Sequence, residues 1–207
     1  MPVHKFEDLE PEITRDLAEV HILRPTTAVM VAKQLLQDKD VYLVAAQKTG
    51  IPAAWIMAVN ERESGGRLDR YLGNGERLDR ITRLVPQGRG PWPDWQSGAI
   101  DALDLKNLDS VPSWTMARAC FEWERWNGFG YRDWHKIRSP YVWAGTNKQQ
   151  AGKYVQDGKF DPDAYDHQLG ALSVALAIAQ IDPSLTIGSM PTASSAPVDQ
   201  PPDSPVG

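Results

Sequence analysis

The chain is poor in several features that mark common protein classes. Its 207 residues contain a single cysteine, Cys120, so neither an intramolecular disulfide nor a cysteine-based metal cluster can form. The net charge of −5 disfavours nucleic acid as a partner, because nucleic acid binds basic faces. The four histidines are scattered and lack partners at metal-ligand spacing, so we expect neither a metal ion nor another cofactor.

Long hydrophobic runs are also missing. The longest apolar stretches, 53–59 and 169–181, are too short or too interrupted to cross a bilayer, so we expect no membrane insertion. The first residues have neither the basic start nor the apolar segment of a secretory signal, so we expect synthesis in the cytoplasm. With 42% hydrophobic and 24% charged residues, the composition is typical of a globular domain, and we expect a monomer.

Hydrophobic periodicity and capping residues predict a mostly α-helical architecture with one small β-hairpin. The hairpin is expected around Asn74-Gly75, between 67–72 and 77–85. Residues 1–40 are predicted to form a helical segment packed on the main domain of residues 41–182, and 183–207 to form a disordered tail rich in Pro, Ser and Asp. The predicted helices cover 7–22, 26–37, 38–48, 52–64, 94–105, 113–126 and 161–181.

One predicted helix ends in carboxylates directly after seven apolar residues, 53–59. A helix that is apolar on all sides is a buried central helix, and its C-terminus carries the negative end of the helix dipole. A carboxyl placed there holds its proton tightly, as a general acid must near neutral pH. Glu61 and Glu63 point to nearly opposite sides, and Glu63, next to two glycines and the predicted hairpin, is the better candidate.

Glycosidases use a general acid of this kind, and they also need a second carboxylate as nucleophile or base. On the predicted hairpin, Asp69, Glu76 and Asp79 lie across from Glu63, and none has a context that singles it out. Glu76 lies at the tip of the predicted turn and is more readily interpreted as a solvent-exposed charge than as a catalytic group. Glu76 and Asp79 are retained as candidate catalytic partners of Glu63.

Aromatic residues concentrate in an irregular stretch between residues 127 and 147. Aromatic side chains stack on sugar rings and lose little conformational entropy, because they have few rotatable bonds, and amides reach hydroxyl and N-acetyl groups. Packing explains any single ring, but an irregular segment cannot bury them all. The predicted substrate-binding residues in this stretch are Asn127, Tyr131, Tyr141, Trp143 and Asn147.

Three ordered blocks resemble segments of phage and bacterial peptidoglycan hydrolases of the lysozyme-like superfamily. The first joins Arg62-Glu63-Ser64 to Asn74-Gly75-Glu76, Leu78, Thr82 and Val85-Pro86. The second is ERWNGFGYR (124–132) followed by SPYVWAGTN (139–147), with Trp126 where those proteins more often have Tyr. The third is GKYVQDGKFDPDAYDHQLG (152–170). The resemblance covers residues 45–180 or so and leaves out the first forty residues and the tail.

The resemblance implies an α+β lysozyme-like fold whose hairpin floors a glycan-binding cleft, and a muramidase of the phage endolysin type. Such an enzyme cleaves the β-1,4 bond between N-acetylmuramic acid and N-acetylglucosamine in peptidoglycan glycan strands, with Glu63 as the acid. The match of the first block also implies that Thr82, in the returning strand of the hairpin, is a substrate-binding residue. A lytic transglycosylase, which needs one acid/base Glu, and a chitinase-type glycosidase remain alternatives. Outside enzymes, the alternative is a glycan-binding phage structural module that kept the fold and lost the chemistry.

Overall fold

The computed structural model describes residues 3–156 and 158–188. Over this part of the chain the fold is mostly helical with one small antiparallel sheet, as predicted. The helices are α1 (Phe6–Ala18), α2 (Pro25–Leu36), α3 (Lys39–Thr49), α4 (Ala53–Ser64), α5 (Trp95–Leu105), α6 (Met116–Asn127), α7 (Pro140–Trp143) and α8 (Ala171–Ile181). The strands are β1 (Lys153–Gln156) and β2 (Lys159–Asp161), and a π-helical turn covers Tyr131–His135. None of the described helices has the length and apolar character needed to cross a bilayer.

Helix α4 lies at the centre of the core, as its continuous apolar sequence predicts. Its residues from Ala53 to Asn60 are all buried, and the helix packs against α3 and α8. Trp55 stacks in parallel on Trp123 of α6, with ring centroids 6.1 Å apart, and meets Trp126 edge-on at 5.8 Å. These aromatic contacts fix α6 against α4, so the end of α6 comes next to the end of α4.

The first two helices are part of the same core. Helix α1 packs on α6, and α2 packs on α8. Arg138 donates two hydrogen bonds to the buried carboxylate of Asp16 on α1, and Arg132 bridges Glu12 on α1 to Glu124 on α6. The carboxylates of Asp16 and Glu124 are buried and that of Glu12 is partly exposed, and these ion pairs link α1 to α6 and to the chain before α7.

The sheet lies elsewhere than the sequence predicts. Residues 67–85 form a loop of successive turns, with an isolated bridge between Arg70 and Arg77, whereas the paired strands are β1 and β2. The carboxylate of Glu76 accepts the backbone N–H groups of Arg83 and Leu84, at 2.9 and 2.8 Å. A side chain therefore takes up donors that the returning strand would have used. Backbone pairing is confined to the residues next to the turn, where Tyr71 bonds Glu76 and Leu78 bonds Asp69, and it does not extend into the two predicted strands.

The last long helix begins ten residues later than predicted, at Ala171 instead of residue 161. Asp161 ends β2, and the residues after it run in irregular conformation to Gly170. Gly170 packs so closely on Val142 that a β-carbon there would lie 2.4 Å from the Val142 carbonyl oxygen. Contacts with α4 and α7 thus replace the first turns of the expected helix. Helix α6 likewise starts later than the predicted residue 113, at Met116, and Thr115 is its N-cap.

Residues 183–188, which the sequence assigns to the disordered tail, have a defined structure. Pro183–Leu185 form a 3-10 turn, and the side chains of Leu185 and Ile187 are 7% and 1% exposed. Both belong to the hydrophobic core, so residues 183–188 pack on the domain. The prediction of disorder for the rest of the tail falls on residues outside the described ranges.

Candidate active site

Glu63 occupies the last turn of α4, and the surrounding residues fix its backbone. Gly65 ends the helix in the left-handed conformation, with φ of 65°, which glycine adopts without strain. The hydroxyl of Ser64 donates to the side-chain oxygen of Asn60 at 2.7 Å, and the amide of Asn60 donates to the hydroxyl of Tyr42 at 2.8 Å. The helix end is therefore anchored to the buried core one turn before the carboxylate.

Two side chains from other helices donate hydrogen bonds to the same oxygen of Glu63. The indole Nε1 of Trp126, at the end of α6, lies 2.9 Å from Oε1. The hydroxyl of Tyr141, on α7, lies 2.9 Å from the same atom. Tyr141 is predicted as a substrate-binding residue, but its side chain is buried and its hydroxyl contacts Glu63 instead. The sequence does not predict the contact of Trp126, which marks only a departure from the motif.

Burial raises the pKa of the Glu63 carboxyl above its ordinary value. The hydrogen bonds from Tyr141 and Trp126, and the positive charges of Arg62 and Lys106, act in the opposite direction. Within the described residues no donor contacts Oε2. In the neutral form Oε1 can thus accept both fixed donors while Oε2 carries a transferable proton, which is the arrangement that a general acid requires.

Glu61 shows that proton affinity alone does not identify the acid. Burial raises the pKa of this carboxyl as well. Its Oε2 lies on the side of Gly66, 3.7 Å from where a β-carbon of that glycine would be. In the described part of the chain, neither Trp126 nor Tyr141 bonds it. Geometry therefore favours Glu63 over Glu61.

The loop carrying Glu76 packs directly on the end of α4. A β-carbon at Gly75 would lie 2.8 Å from the carbonyl oxygen of Glu63, so only glycine allows this approach. Glu76 is half-buried, contrary to the expected exposure at a turn tip. Its Oε2 accepts hydrogen bonds from Asn74, Arg83 and Leu84, while Oε1 accepts none from the residues described. Glu76 is thus a carboxylate fixed within the loop that packs on the end of α4, with one oxygen available.

Asp79 and Asp69 have a different environment. Both are exposed and ion-paired with arginines of their own loop, Asp79 with Arg77 at 2.5 Å and Asp69 with Arg67 at 2.9 Å. The Arg77 side chain lowers the pKa of the Asp79 carboxyl to about 2. Neither carboxylate contacts Glu63 in the ranges that the structure describes. Of the three predicted second carboxylates, Glu76 has the most suitable position.

Three predicted substrate-binding residues have their polar atoms engaged within the protein or are buried. Thr82 is 3% exposed, donates to the Pro86 carbonyl and accepts the Arg89 N–H. Asn147 bonds the backbone of His21 and Glu19 between α1 and α2. Trp143 is 2% exposed and lies in the core. We therefore leave Thr82, Asn147 and Trp143 out of the candidate site.

The two remaining predicted residues, Asn127 and Tyr131, have different surroundings. Asn127 ends α6, directly after Trp126, and its exposed amide makes one long contact of 3.4 Å with the Ser139 hydroxyl. It stays a candidate for contacting a sugar. Tyr131 instead packs edge-on against Tyr154 of β1, and its hydroxyl accepts the Tyr154 N–H at 3.3 Å. Tyr131 supports the small sheet, and no contact joins it to Glu63 among the described residues.

Lys106 was not predicted as part of the site. It follows α5, and its ammonium group lies 3.4 Å from the Trp126 carbonyl oxygen and 5.7 Å from the centre of the Trp126 ring. Burial lowers the pKa of this lysine, and Glu63 acts in the opposite direction. A lone lysine after a helix gives no sequence signal for such a role, because only its tertiary contact with Trp126 brings it close to Glu63.

In residues 3–156 and 158–188, no three His, Cys, Asp or Glu side chains come together as a metal site. Comparisons with protein families, curated proteins and solved structures find no match for this chain. The function is therefore inferred from the geometry of the site around Glu63.

Proposed function

We propose that this protein is a peptidoglycan hydrolase that cleaves the β-1,4 bond between N-acetylmuramic acid and N-acetylglucosamine. One observation carries the proposal: the Glu63 carboxyl is buried at a helix end, and Trp126 and Tyr141 fix one of its oxygens. The resemblance of the blocks around Glu63, Trp126 and Tyr141 to phage endolysins and bacterial muramidases gives the substrate class. We further propose that the enzyme is made in the cytoplasm of an infected host and acts on the cell wall.

Glu63 acts first as the acid. The proton on Oε2 passes to the glycosidic oxygen as the bond from that oxygen to the anomeric carbon breaks, which frees the N-acetylglucosamine hydroxyl and leaves an oxocarbenium-like sugar. The carboxylate formed on Glu63 keeps the hydrogen bonds of Trp126 and Tyr141, which are stronger to an anion than to a neutral carboxyl. The same two donors therefore stabilise the state in which the proton has left.

Hydrolysis needs a second carboxylate on the other side of the sugar, and we assign this role to Glu76. Retaining enzymes place the two carboxyl groups about 5 Å apart and inverting enzymes roughly 6.5–9.5 Å apart. Glu76 is held by hydrogen bonds on one oxygen and sits on the loop that touches the Glu63 backbone. Asp79, engaged by Arg77, is the less suitable choice.

A lytic transglycosylase is the second candidate, because arginines occupy Asp69 and Asp79, and of these three carboxylates only Glu76 has an oxygen without a partner among the described residues. In that reaction the C6 hydroxyl of the muramic acid attacks the anomeric carbon, and Glu63 serves as acid and then as base. No second carboxylate takes part. The products differ by one water, since hydrolysis leaves a reducing N-acetylmuramic acid and transglycosylation leaves a 1,6-anhydro ring.

Mass spectrometry of the products from purified peptidoglycan tests these proposals together. Reducing muropeptides that depend on Glu63 support the hydrolase, and anhydro products support the transglycosylase. Release of N-acetylglucosamine oligomers from chitin, with peptidoglycan left intact, would replace the proposal by a chitinase-type glycosidase. Binding to peptidoglycan without any product would leave a glycan-binding module.

A further inference from the structure

The residue before the candidate acid carries a buried charge that the proposed reaction does not use. Arg62 has a side chain only 10% exposed, and its Nη2 donates to the Asp166 carboxylate at 3.0 Å. Its Nη1 donates to the Leu169 carbonyl at 3.2 Å, and its Nε is buried without an acceptor among the described residues. Burying a guanidinium with one unmade hydrogen bond is unfavourable for stability, which indicates that Arg62 has a specific role at this position.

The guanidinium lies against the ring that contacts Glu63. Its central carbon is 4.9 Å from the centroid of the Tyr141 ring. A cation over an aromatic face is attracted by the ring quadrupole, which holds the ring in position. Burial raises the pKa of the Tyr141 hydroxyl, whereas the positive charge of Arg62 acts to lower it, so Arg62 makes Tyr141 a better hydrogen-bond donor to the carboxylate of Glu63.

Asp166 anchors this arginine from a distant part of the chain. It is 5% exposed, and its second oxygen accepts from Lys153 at 2.8 Å and from the Gln168 N–H at 3.1 Å. Two residues later, the amide of Gln168 donates to the Glu61 carbonyl at 2.8 Å, at the end of α4. The segment 166–169 therefore holds both the side chain of Arg62 and the end of the helix that carries Glu63.

We infer that Arg62 and Asp166 form a positioning pair, which holds Tyr141 against Glu63 and determines part of the electrostatic potential at the Glu63 carboxyl. The inference deepens the proposed function and rests on Glu63 being the acid of the site. It does not require either residue to touch the substrate. Arg62 acts through the Tyr141 ring and through its own field, and Asp166 acts by orienting Arg62 and balancing its charge.

The charged and titratable groups around Glu63 give this pair a distinctive signature. Tyr141 from α7, Arg62 from α4 and Lys106 after α5 act on the carboxyl directly, and Asp166 with Lys153 acts behind Arg62. Removing the charge of Arg62 leaves the carboxylate less stabilised, so the pKa of Glu63 should rise further. Removing the charge of Asp166 leaves Arg62 and Lys153 without the negative charge that balances them. The net positive charge near Glu63 then stabilises its carboxylate more, so the pKa of Glu63 should fall.

The test is the pH dependence of kcat/KM on soluble peptidoglycan fragments, whose alkaline limb reports ionisation of the acid in the free enzyme. We expect the limb to move to higher pH in Arg62→Gln and to lower pH in Asp166→Asn. We expect turnover to fall roughly ten- to a hundredfold in both variants, because the acid is misplaced. A merely structural pair would lower turnover in both variants and leave the limb where it is, or move it in the same direction.

Arg62→Lys separates the charge from the geometry. It keeps the cation but cannot form the planar fork, so the limb should stay near its wild-type position while turnover falls. If Arg62→Gln does not fold, Asp166→Asn compared with Arg62→Lys still gives the sign. Arg67→Gln, which breaks an exposed arginine–aspartate pair nearby, is the matched control and should change neither quantity. Limbs that move together in Arg62→Gln and Asp166→Asn, or that stay fixed, would overturn the inference.

A second measurement keeps the inference separate from the proposed function. Carbon NMR of the labelled Glu63 carboxyl follows its ionisation in the full chain without any substrate. Opposite shifts in Arg62→Gln and Asp166→Asn, in a protein that cleaves no peptidoglycan, would support the pair and refute the hydrolase. Activity without opposite shifts would support the hydrolase and refute the pair.

Discussion

Replacing Glu63 by glutamine is the sharpest perturbation of this site. Glutamine has nearly the same shape, and its Oε1 can still accept the hydrogen bonds of Trp126 and Tyr141 at their present distances of 2.9 Å. What is lost is the proton. Because general acid catalysis contributes about a hundredfold to ten-thousandfold, cleavage of peptidoglycan should fall by at least about a hundredfold, or about 2.7 kcal/mol in barrier height.

The same substitution should also stabilise the fold at higher pH. Burial raises the pKa of Glu63 in the folded protein, so the folded state binds this proton more tightly than the unfolded state does. Stability from this group is therefore present at acid pH and is lost as the pH rises through the raised folded pKa. Glutamine does not titrate, so Glu63→Gln should melt at a higher temperature than the wild type in mildly alkaline buffer and at the same temperature in acid.

Clearance of a turbid peptidoglycan suspension measures the first effect, and thermal unfolding across pH measures the second. Glu61→Gln is the matched control, because Glu61 lies in the same helical turn and has a raised pKa but lacks the Trp126 and Tyr141 contacts. It should keep its activity. Activity retained in Glu63→Gln and lost in Glu61→Gln would refute the assignment, and activity retained in both would refute the enzyme proposal. A Glu63→Gln protein that melts lower in alkaline buffer would refute the burial argument.

Three further substitutions test the surroundings of the acid. Tyr141→Phe removes one hydrogen-bond donor to the Glu63 carboxylate, a loss of about 2 kcal/mol in stabilisation of the anion, so steady-state cleavage should slow roughly thirtyfold. An unchanged rate would mean that the contact is not used. Gly75→Ala, with φ of 71° and a β-carbon 2.8 Å from the Glu63 carbonyl, should lower both melting temperature and activity, whereas Gly88→Ala, with φ of 75° and open space, should lower only the melting temperature. Ile187→Ala should cost about 2–5 kcal/mol in urea unfolding, since the side chain is 1% exposed; a smaller loss would show that residues 183–188 contribute little.

Local rules account for what the sequence predicts well. The helix α4 follows from an unbroken apolar run, a proline before it and Gly65 after it, and these features act within a few residues of one another. Glu63 could be singled out because a carboxylate at the end of such a helix is unfavourable for stability. The mostly helical class could be predicted for the same reason, since periodicity and caps are read over short windows.

Errors arose where side chains from elsewhere compete for the backbone. The Asn-Gly pair at residue 74 predicts a turn, and a turn is present, but the Glu76 carboxylate takes the N–H groups of Arg83 and Leu84 that a strand would share. The Asp161-Pro162 pair predicts a helix start, but the chain after it contacts the end of α4 through Gln168, and the helix begins only at Ala171. A single sequence does not reveal such competitors, because each is decided by the final packing.

The sequence by itself thus determined the helical class, the buried α4 and the position of Glu63 at its end. Only the tertiary structure decided what surrounds that carboxyl. Trp126 and Tyr141 reach Glu63 from 63 and 78 residues away, and Asp166 reaches Arg62 from 104 residues away. Proton affinity depends on burial and on donors and charges within a few ångströms, so the chemistry of this acid is set by which helices pack together around it.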